Sequence, residues 1–252
     1  MAEPLLRLQR LAIAFGGLRA VQDVSLDVMP GTLTALIGPN GAGKTTLFAL
    51  MSGFLQPDSG RVVFAGRDIT GRPPHLNARA GMARTFQIVQ PFAAQTVREN
   101  IAVGAHLHEP RRAAALLAAE QVAQRVGLGA MLDQPAADLT VAGRKRLELA
   151  RALATQPRLL LLDEVLAGLN PQEIAEMIPV LRAIVSDGSG VTVLMIEHVM
   201  QAVMNLASQV WVLAQGELIA AGTPAEVTAD VRVIEAYLGP GAAARLRGEI
   251  AG

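Results

Sequence analysis

"GPNGAGKT", Gly38–Thr45, decides the fold. It follows a short unbroken apolar run, "TLTALIG", and opens a helix, "KTTLFALM", so it occupies a strand-to-helix turn. The chemistry dictates the spelling. Successive backbone N–H groups must point inward around phosphate oxygens, and the glycines of Gly38-Pro39-Asn40-Gly41-Ala42-Gly43 allow that curl without a Cβ clash. Lys44 then offers a point charge to β and γ phosphates, and Thr45 offers a hydroxyl to Mg²⁺. Thr46 shares the same first turn, and the helix N-terminus adds its positive end.

A phosphate cradle of this kind needs an acid elsewhere to hold the metal. "RLLLLDE" places Asp163 at the end of a second buried-strand pattern and Glu164 one residue on. An acidic pair after a strand is by itself a helix cap or a solvated loop. Paired with the cradle, Asp163 becomes a candidate metal ligand, and Glu164 a candidate general base for an attacking water.

Around these two motifs the text alternates between strand and helix. Leu5 to Val28 has the two-residue alternation of half-buried antiparallel strands, "GRVVFAGRDI" returns to strand, and "TGRPPHLNARAG" follows as loop or short helix. Helical patterns then run through "RRAAALLAAEQVAQRVGL" and "RKRLELARALATQ", the latter closed by Pro157. After "RLLLLD" come a helix from Pro171 containing Pro179, a buried strand "VTVLMIEH", and a hairpin turning at Gln215-Gly216. A last helix is capped by Thr223 with Pro224 at its first position. This order predicts an α/β fold with ligands at the carboxyl ends of its strands. The expected division is a core with an antiparallel β-subdomain over about 1–86 and 157–252, and an inserted helical subdomain over about 87–156.

Composition bounds the function. The 252 residues carry 22 Lys plus Arg against 22 Asp plus Glu, so no broad basic field exists to hold nucleic acid. There is no cysteine, which excludes disulfides and thiolate metal sites. The apolar runs are all broken by carboxylates before a bilayer-spanning length, and no charged n-region followed by an apolar stretch opens the chain. Cytoplasmic residence is the expectation. His106 and His108 in "HLH" are expected on the surface, since residues two apart on a helix do not face one another. The run Arg144-Lys145-Arg146 is expected to be a solvated first turn.

Taken in order, these residues resemble the ATP-binding cassette (ABC) ATPases across nearly the whole chain. "GPNGAGKTT" looks like the family's P-loop, "ARTFQ" its glutamine loop with Gln87, "LLLLDE" its second nucleotide motif, "AGLN" the loop that crosses the dimer interface, and "MIEH" the switch histidine at His198. The resemblance implies a P-loop NTPase (RecA-like) core, with ATP and Mg²⁺ as ligands. By it, Phe15 stacks on adenine, Gln87 touches Mg²⁺ or the attacking water, and His198 hydrogen-bonds the γ-phosphate. Within the family the likeness is nearest to ATPase subunits of branched-chain (hydrophobic) amino acid importers, carried by "FGGLRAVQDVSLDV", "ITGRPPH", "GMARTFQ", "RENI" and "EVLAGLNPQE". Cassettes for urea and short amides look very similar. The partners so implied are membrane permease subunits, a second ATPase subunit and, indirectly, an extracytoplasmic solute-binding protein. The chain itself would sit peripherally on the inner face of the membrane.

One loop departs from the family. In "LTVAGRKRLELARAL" the signature read as L-S-G-G-Q keeps only Leu139 and Thr140, and Val141, Ala142 and Gly143 replace the rest. A one-residue shift would instead make Gly143 the second glycine. Thr140 keeps a hydroxyl and the helix start keeps its N–H groups, so anion attraction remains. Ala142 costs on the order of 1 kcal/mol if its position needs positive φ, and almost nothing if it does not. The signature serves the partner subunit's nucleotide, which leads to the expectation of an asymmetric pair in which a sibling supplies a standard signature. Asn170, where Asp is usual, puts a further interface contact in doubt.

Overall fold

The computed structural model describes residues 3–87 and 90–242. Its elements run β1 (Leu6–Phe15), β2 (Leu18–Val28), β3 (Leu33–Ile37), α1 (Lys44–Ser52), β4 (Ser59–Phe64), β5 (Arg67–Asp68), α2 (Pro74–Arg79), β6 (Met82–Arg84), α3 (Val97–Ala105) and α4 (Arg112–Arg125). They continue with α5 (Val141–Leu153), β7 (Leu159–Asp163), α6 (Pro171–Ser186), β8 (Thr192–Ile196), α7 (Met200–Leu206), β9 (Gln209–Ala214), β10 (Glu217–Gly222), α8 (Pro224–Ala229) and α9 (Val231–Leu238). The fold is α/β, as the sequence pattern requires. It divides into two compact units, residues 1–72 with 194–252 and residues 73–193.

In the first unit, β2-β1-β4-β5 form an antiparallel sheet, with Leu6 opposite Val28 and also opposite Phe64. The odd-even text of these strands becomes a wet face and a dry face. Leu6, Leu8, Leu11, Val24, Val62 and Phe64 are buried, each worth about 1.5–3 kcal/mol of apolar burial. β3 is different, because all five of its residues are buried, and it pairs in parallel with β9 from Thr34↔Gln209 to Ile37↔Val212. A strand covered on both faces has no use for polar alternation. β9 and β10 form the expected hairpin around Gln215 and Gly216, whose φ values of 50° and 81° give the left-handed turn that a two-residue hairpin needs.

In the second unit, β6 and β7 pair in parallel from Met82↔Leu159 to Arg84↔Leu161, and β7 is buried throughout. The helices start where the side chains dictate. Thr96 with Glu99, and Asn170 with Glu173, make reciprocal capping boxes at α3 and α6, and Pro171 takes a first-turn position of α6. Pro179 lies inside α6. In the first unit Thr223 and Glu226 do the same at α8, with Pro224 leading. Among the described residues no helix is long and apolar enough to cross a membrane.

Candidate functional site

Strand β3 ends at Ile37, and residues 38–43 turn the chain into α1. Gly38, Gly41 and Gly43 all have positive φ, at 152°, 79° and 101°. At Gly43 the reason is steric as well as conformational, since a Cβ there would stand 2.3 Å from the Ala20 carbonyl oxygen. At Gly38 it would stand 2.0 Å from that of Leu213. The cradle is thus pressed between β2 and the end of β9. A chain of backbone bonds fixes it there: Gly216 N–H donates to Ala42 O at 3.0 Å, and Gln22 N–H donates to Gly216 O at 2.8 Å.

Lys44 is nine-tenths buried, and its ammonium donates to Gly38 O at 2.7 Å and Pro39 O at 3.0 Å. The charge therefore lies within the loop's own curve. Helix α1 begins at Gly43 with no side-chain cap and no acidic residue in its first turn, unlike the boxed starts of α3, α6 and α8. Its N–H groups and dipole are left for an external anion, which is the donor set a phosphate chain fits. Asn40, Gly41 and Thr45 are exposed, while Thr46 is half-buried in the same turn. Tyr237 on α9 adds a contact that the sequence did not suggest. Its phenol oxygen accepts the Gly38 N–H, and burial nonetheless pushes its pKa up from 10.0.

Phe15 ends β1 with 49% of its surface exposed, so it is not a core aromatic. His198 follows β8 and is exposed. Both belong to the same unit as the cradle.

The second unit brings Gln87, Asp163 and Glu164 together. Asp163, at the end of β7, is buried, and Arg84 from the end of β6 donates to its Oδ2 at 2.9 Å. That guanidinium offsets the desolvation of the carboxylate. The Asp163 N–H donates to Thr85 Oγ1 at 3.1 Å, which fixes the end of β7 against β6. Glu164 has φ 50°, a left-handed conformation that costs a residue with a Cβ about 1–2 kcal/mol. The Gln87 carboxamide donates to its Oε2 at 2.7 Å, so the two predicted side chains are in direct contact.

Helix α5 contributes what the sequence reading missed. Lys145, expected to be solvated, is only 6% exposed, and its ammonium donates to Glu164 O at 3.2 Å and Gln87 O at 3.4 Å. The correction has a simple cause, because α5 is packed on more than one side. Its buried residues include Gly143, Lys145, Leu147 and Leu149, and only Arg144 of the basic run is exposed. One turn on, Glu148 Oε1 accepts the Phe86 N–H at 2.5 Å, and burial pushes this carboxyl's pKa up from 4.5.

The signature loop is also settled locally. α5 starts at Val141, earlier than its period suggested, and Thr140 is the N-cap, its hydroxyl oxygen accepting the Gly143 N–H at 3.1 Å. Neither Ala142 nor Gly143 has positive φ. The methyl of Ala142 therefore carries no backbone penalty under either alignment of the motif. Asn170 serves as the cap of α6, a role in which Asn and Asp are near equals. His106 and His108 bond to the carbonyls of Glu109 and Thr155 at 2.9 and 3.0 Å.

Comparison with known proteins agrees with this geometry. The family described as ABC transporter matches residues 21–167, and the one described as branched-chain amino acid ATP-binding cassette transporter matches residues 217–240. The chain is 41% identical over 254 residues to the high-affinity branched-chain amino acid transport ATP-binding protein LivG of Salmonella typhimurium, covering 95% of this chain and 99% of that protein. It is 39% identical over 255 residues to BraF of Pseudomonas aeruginosa, a protein of the same description, with the same coverages. Among solved structures, an ABC transporter's ATP-binding cassette in its ADP conformation superposes with a TM-score of 0.85 at 31% identity, over 94% of this chain and 100% of that one. A cassette from a Clostridium perfringens ABC transporter complex gives 0.82 at 29% identity, over 92% and 94%. A phosphate cradle after a buried strand, a carboxylate pair after another, and likeness along almost the whole length lead to one conclusion: the chain belongs to the ABC transporter ATPases, in the branch of branched-chain amino acid transport ATP-binding proteins.

Proposed function

We propose that this chain is the ATP-hydrolysing subunit of an importer for branched-chain amino acids or related small amino acids and amides, seated on permease subunits at the inner face of the membrane. The observation that carries the reading is the glycine cradle with Lys44 inside its curve and an uncapped helix N-terminus behind it. In this reading the loop from Gly38 to Gly43 wraps the triphosphate with the N–H groups of Asn40, Gly41 and Gly43, Lys44 turns from the loop carbonyls to the β and γ phosphates, and Phe15 offers its exposed ring to adenine. Thr140, with Ala142 and Gly143 behind it, offers the α5 N-terminus to the nucleotide of a second ATPase subunit. The Thr140 hydroxyl proton stays available, because only its oxygen is used within the helix.

The donor set suits Mg²⁺, which takes one or two protein oxygens and completes its shell with phosphates and water. Thr45 and Asp163 would supply those oxygens, and the ion would neutralise charge developing on the transferred phosphoryl group. Glu164 accepts a proton from the attacking water, Gln87 orients it, and His198 hydrogen-bonds the γ-phosphate. No nucleic acid enters this scheme. Permease docking is supported by exposed Phe86, Phe92 and Val103 of the second unit. A groove of about 270 Å³, lined by Phe86, Val103, Glu148 and Arg151, lies there. Exposed apolar groups around a groove mark a protein-binding face.

Two experiments test the proposal. Co-expression with permease subunits and a solute-binding protein of a branched-chain amino acid importer should give membranes that take up leucine only with ATP inside, and failure of any amino acid or amide to be transported removes the importer reading. Glu164→Gln should bind MgATP while losing at least about 100-fold in turnover, the scale of a general base; unchanged turnover removes the assignment.

A further inference from the structure

A buried ammonium needs a reason, and Lys145 has no carboxylate within ion-pairing distance among the described residues. Glu148, three residues on, acts on it only through space, and burying a cation that no carboxylate touches is costly unless its protons are used. Here they are used on two backbone carbonyls, those of Glu164 and Gln87. These same two residues meet again through their side chains, where the Gln87 carboxamide donates to the Glu164 carboxylate. The result is a closed ring: carboxamide to carboxylate, carbonyl to ammonium, ammonium to carbonyl.

The ring holds parts that do not hold themselves. Glu164 is in the left-handed region, and its carbonyl receives Ala167 N–H at 3.1 Å as well as Lys145. The Phe86–Gln87 segment is gripped by α5 at two successive backbone groups of opposite polarity. Glu148 takes the Phe86 N–H and Lys145 gives to the Gln87 carbonyl. Lys145 and Glu148 are three apart, so they are neighbours on one face of α5. The Thr140 N-cap lies little more than one helical turn before Lys145 on the same helix.

We propose that Lys145 is a positioning residue that ties the Gln87–Glu164 pair to the start of α5, so that the pair keeps its geometry only while the helix bearing Thr140 is in place. Its ammonium donates to two backbone carbonyls. It acts through the backbone of the two residues assigned to the attacking water, and the inference rests on the roles proposed for them above. Loss of the tether leaves the cradle in the other unit unaltered, so ATP binding is retained while the chemical step slows.

The test is steady-state ATP hydrolysis by the full-length chain in its transporter complex, comparing Lys145→Met, Lys145→Arg and Glu164→Gln. Lys145→Met should lower kcat at least about 10-fold with KM for MgATP within about twofold, a loss confined to the transition state. Lys145→Arg, which restores N–H donors, should recover most of that loss. A kcat within twofold of the parent for Lys145→Met overturns the proposal, and so does a parallel collapse of kcat and ATP affinity that Arg does not rescue. If Lys145→Met fails to fold, Lys145→Gln replaces it under the same criteria, and failure of both to fold makes Lys145 a stability residue and overturns the proposal. Glu164→Gln separates the two readings: if it keeps full turnover the site assignment has failed, whereas if it is inactive and Lys145→Met is not, only the tether has.

Discussion

Gly41 and Gly43 lie two residues apart in one loop, both with positive φ, and they should respond differently to the same added methyl. At Gly41 a Cβ meets nothing within 4 Å, so Gly41→Ala bears only the left-handed backbone, about 1–2 kcal/mol. At Gly43 the methyl carries the same backbone strain and also stands 2.3 Å from Ala20 O and 3.4 Å from Leu213 Cδ2. The first is a backbone atom of β2 that cannot swing aside. Overpacking of that kind adds about 1–3 kcal/mol, for a total of about 2–5 kcal/mol. In a chain of this size each kcal/mol moves Tm by about 2–4 °C, so Gly43→Ala should melt lower than Gly41→Ala by about 2–12 °C. Thermal unfolding followed by circular dichroism, without nucleotide and at one scan rate, measures the difference directly. Equal Tm values, or a lower one for Gly41→Ala, would refute the reasoning that the cradle is held by pressure from β2 and β9.

Glu148 gives a pH prediction. Its carboxyl is pushed up from 4.5, mainly by burial, so the folded chain holds this proton more tightly than the unfolded one. Its contribution to stability is full below the ordinary glutamate range and is lost as pH rises through the raised value. Relative to Glu148→Gln, the parent should lose Tm across that window, and a relative gain would contradict the burial argument. Ala142→Gly should not stabilise the signature loop, because the residue lies in the first turn of α5 without positive φ. A loss of up to about 1 kcal/mol in denaturant unfolding is expected from the glycine, and a gain would show hidden strain there.

Much of this protein is legible in its sequence. The cradle could be read because glycine placement is a local steric demand, and the helix starts of α6 and α8 because Pro171, and Thr223 with Pro224, act on N–H groups a few bonds away, whereas the Asn170 cap of α6 emerged only in the fold. The hairpin at Gln215-Gly216 and the fully buried strands β3 and β7 were equally local, each set by its own residues and their period. Phe15 could not be placed by such reasoning, since a strand-end aromatic packs or protrudes according to what covers it, and here half its surface is uncovered.

The sequence by itself determined which groups can bind phosphate and where strands and helices begin, because those outcomes depend on neighbours in the chain. Only the tertiary structure decided that Arg84 neutralises Asp163, that Tyr237 bonds to Gly38, and that the middle residue of a basic triplet is buried against Gln87 and Glu164. The cost of burying a charge is set by partners 19 and 58 residues away, and no helical period reveals whether such partners will be there.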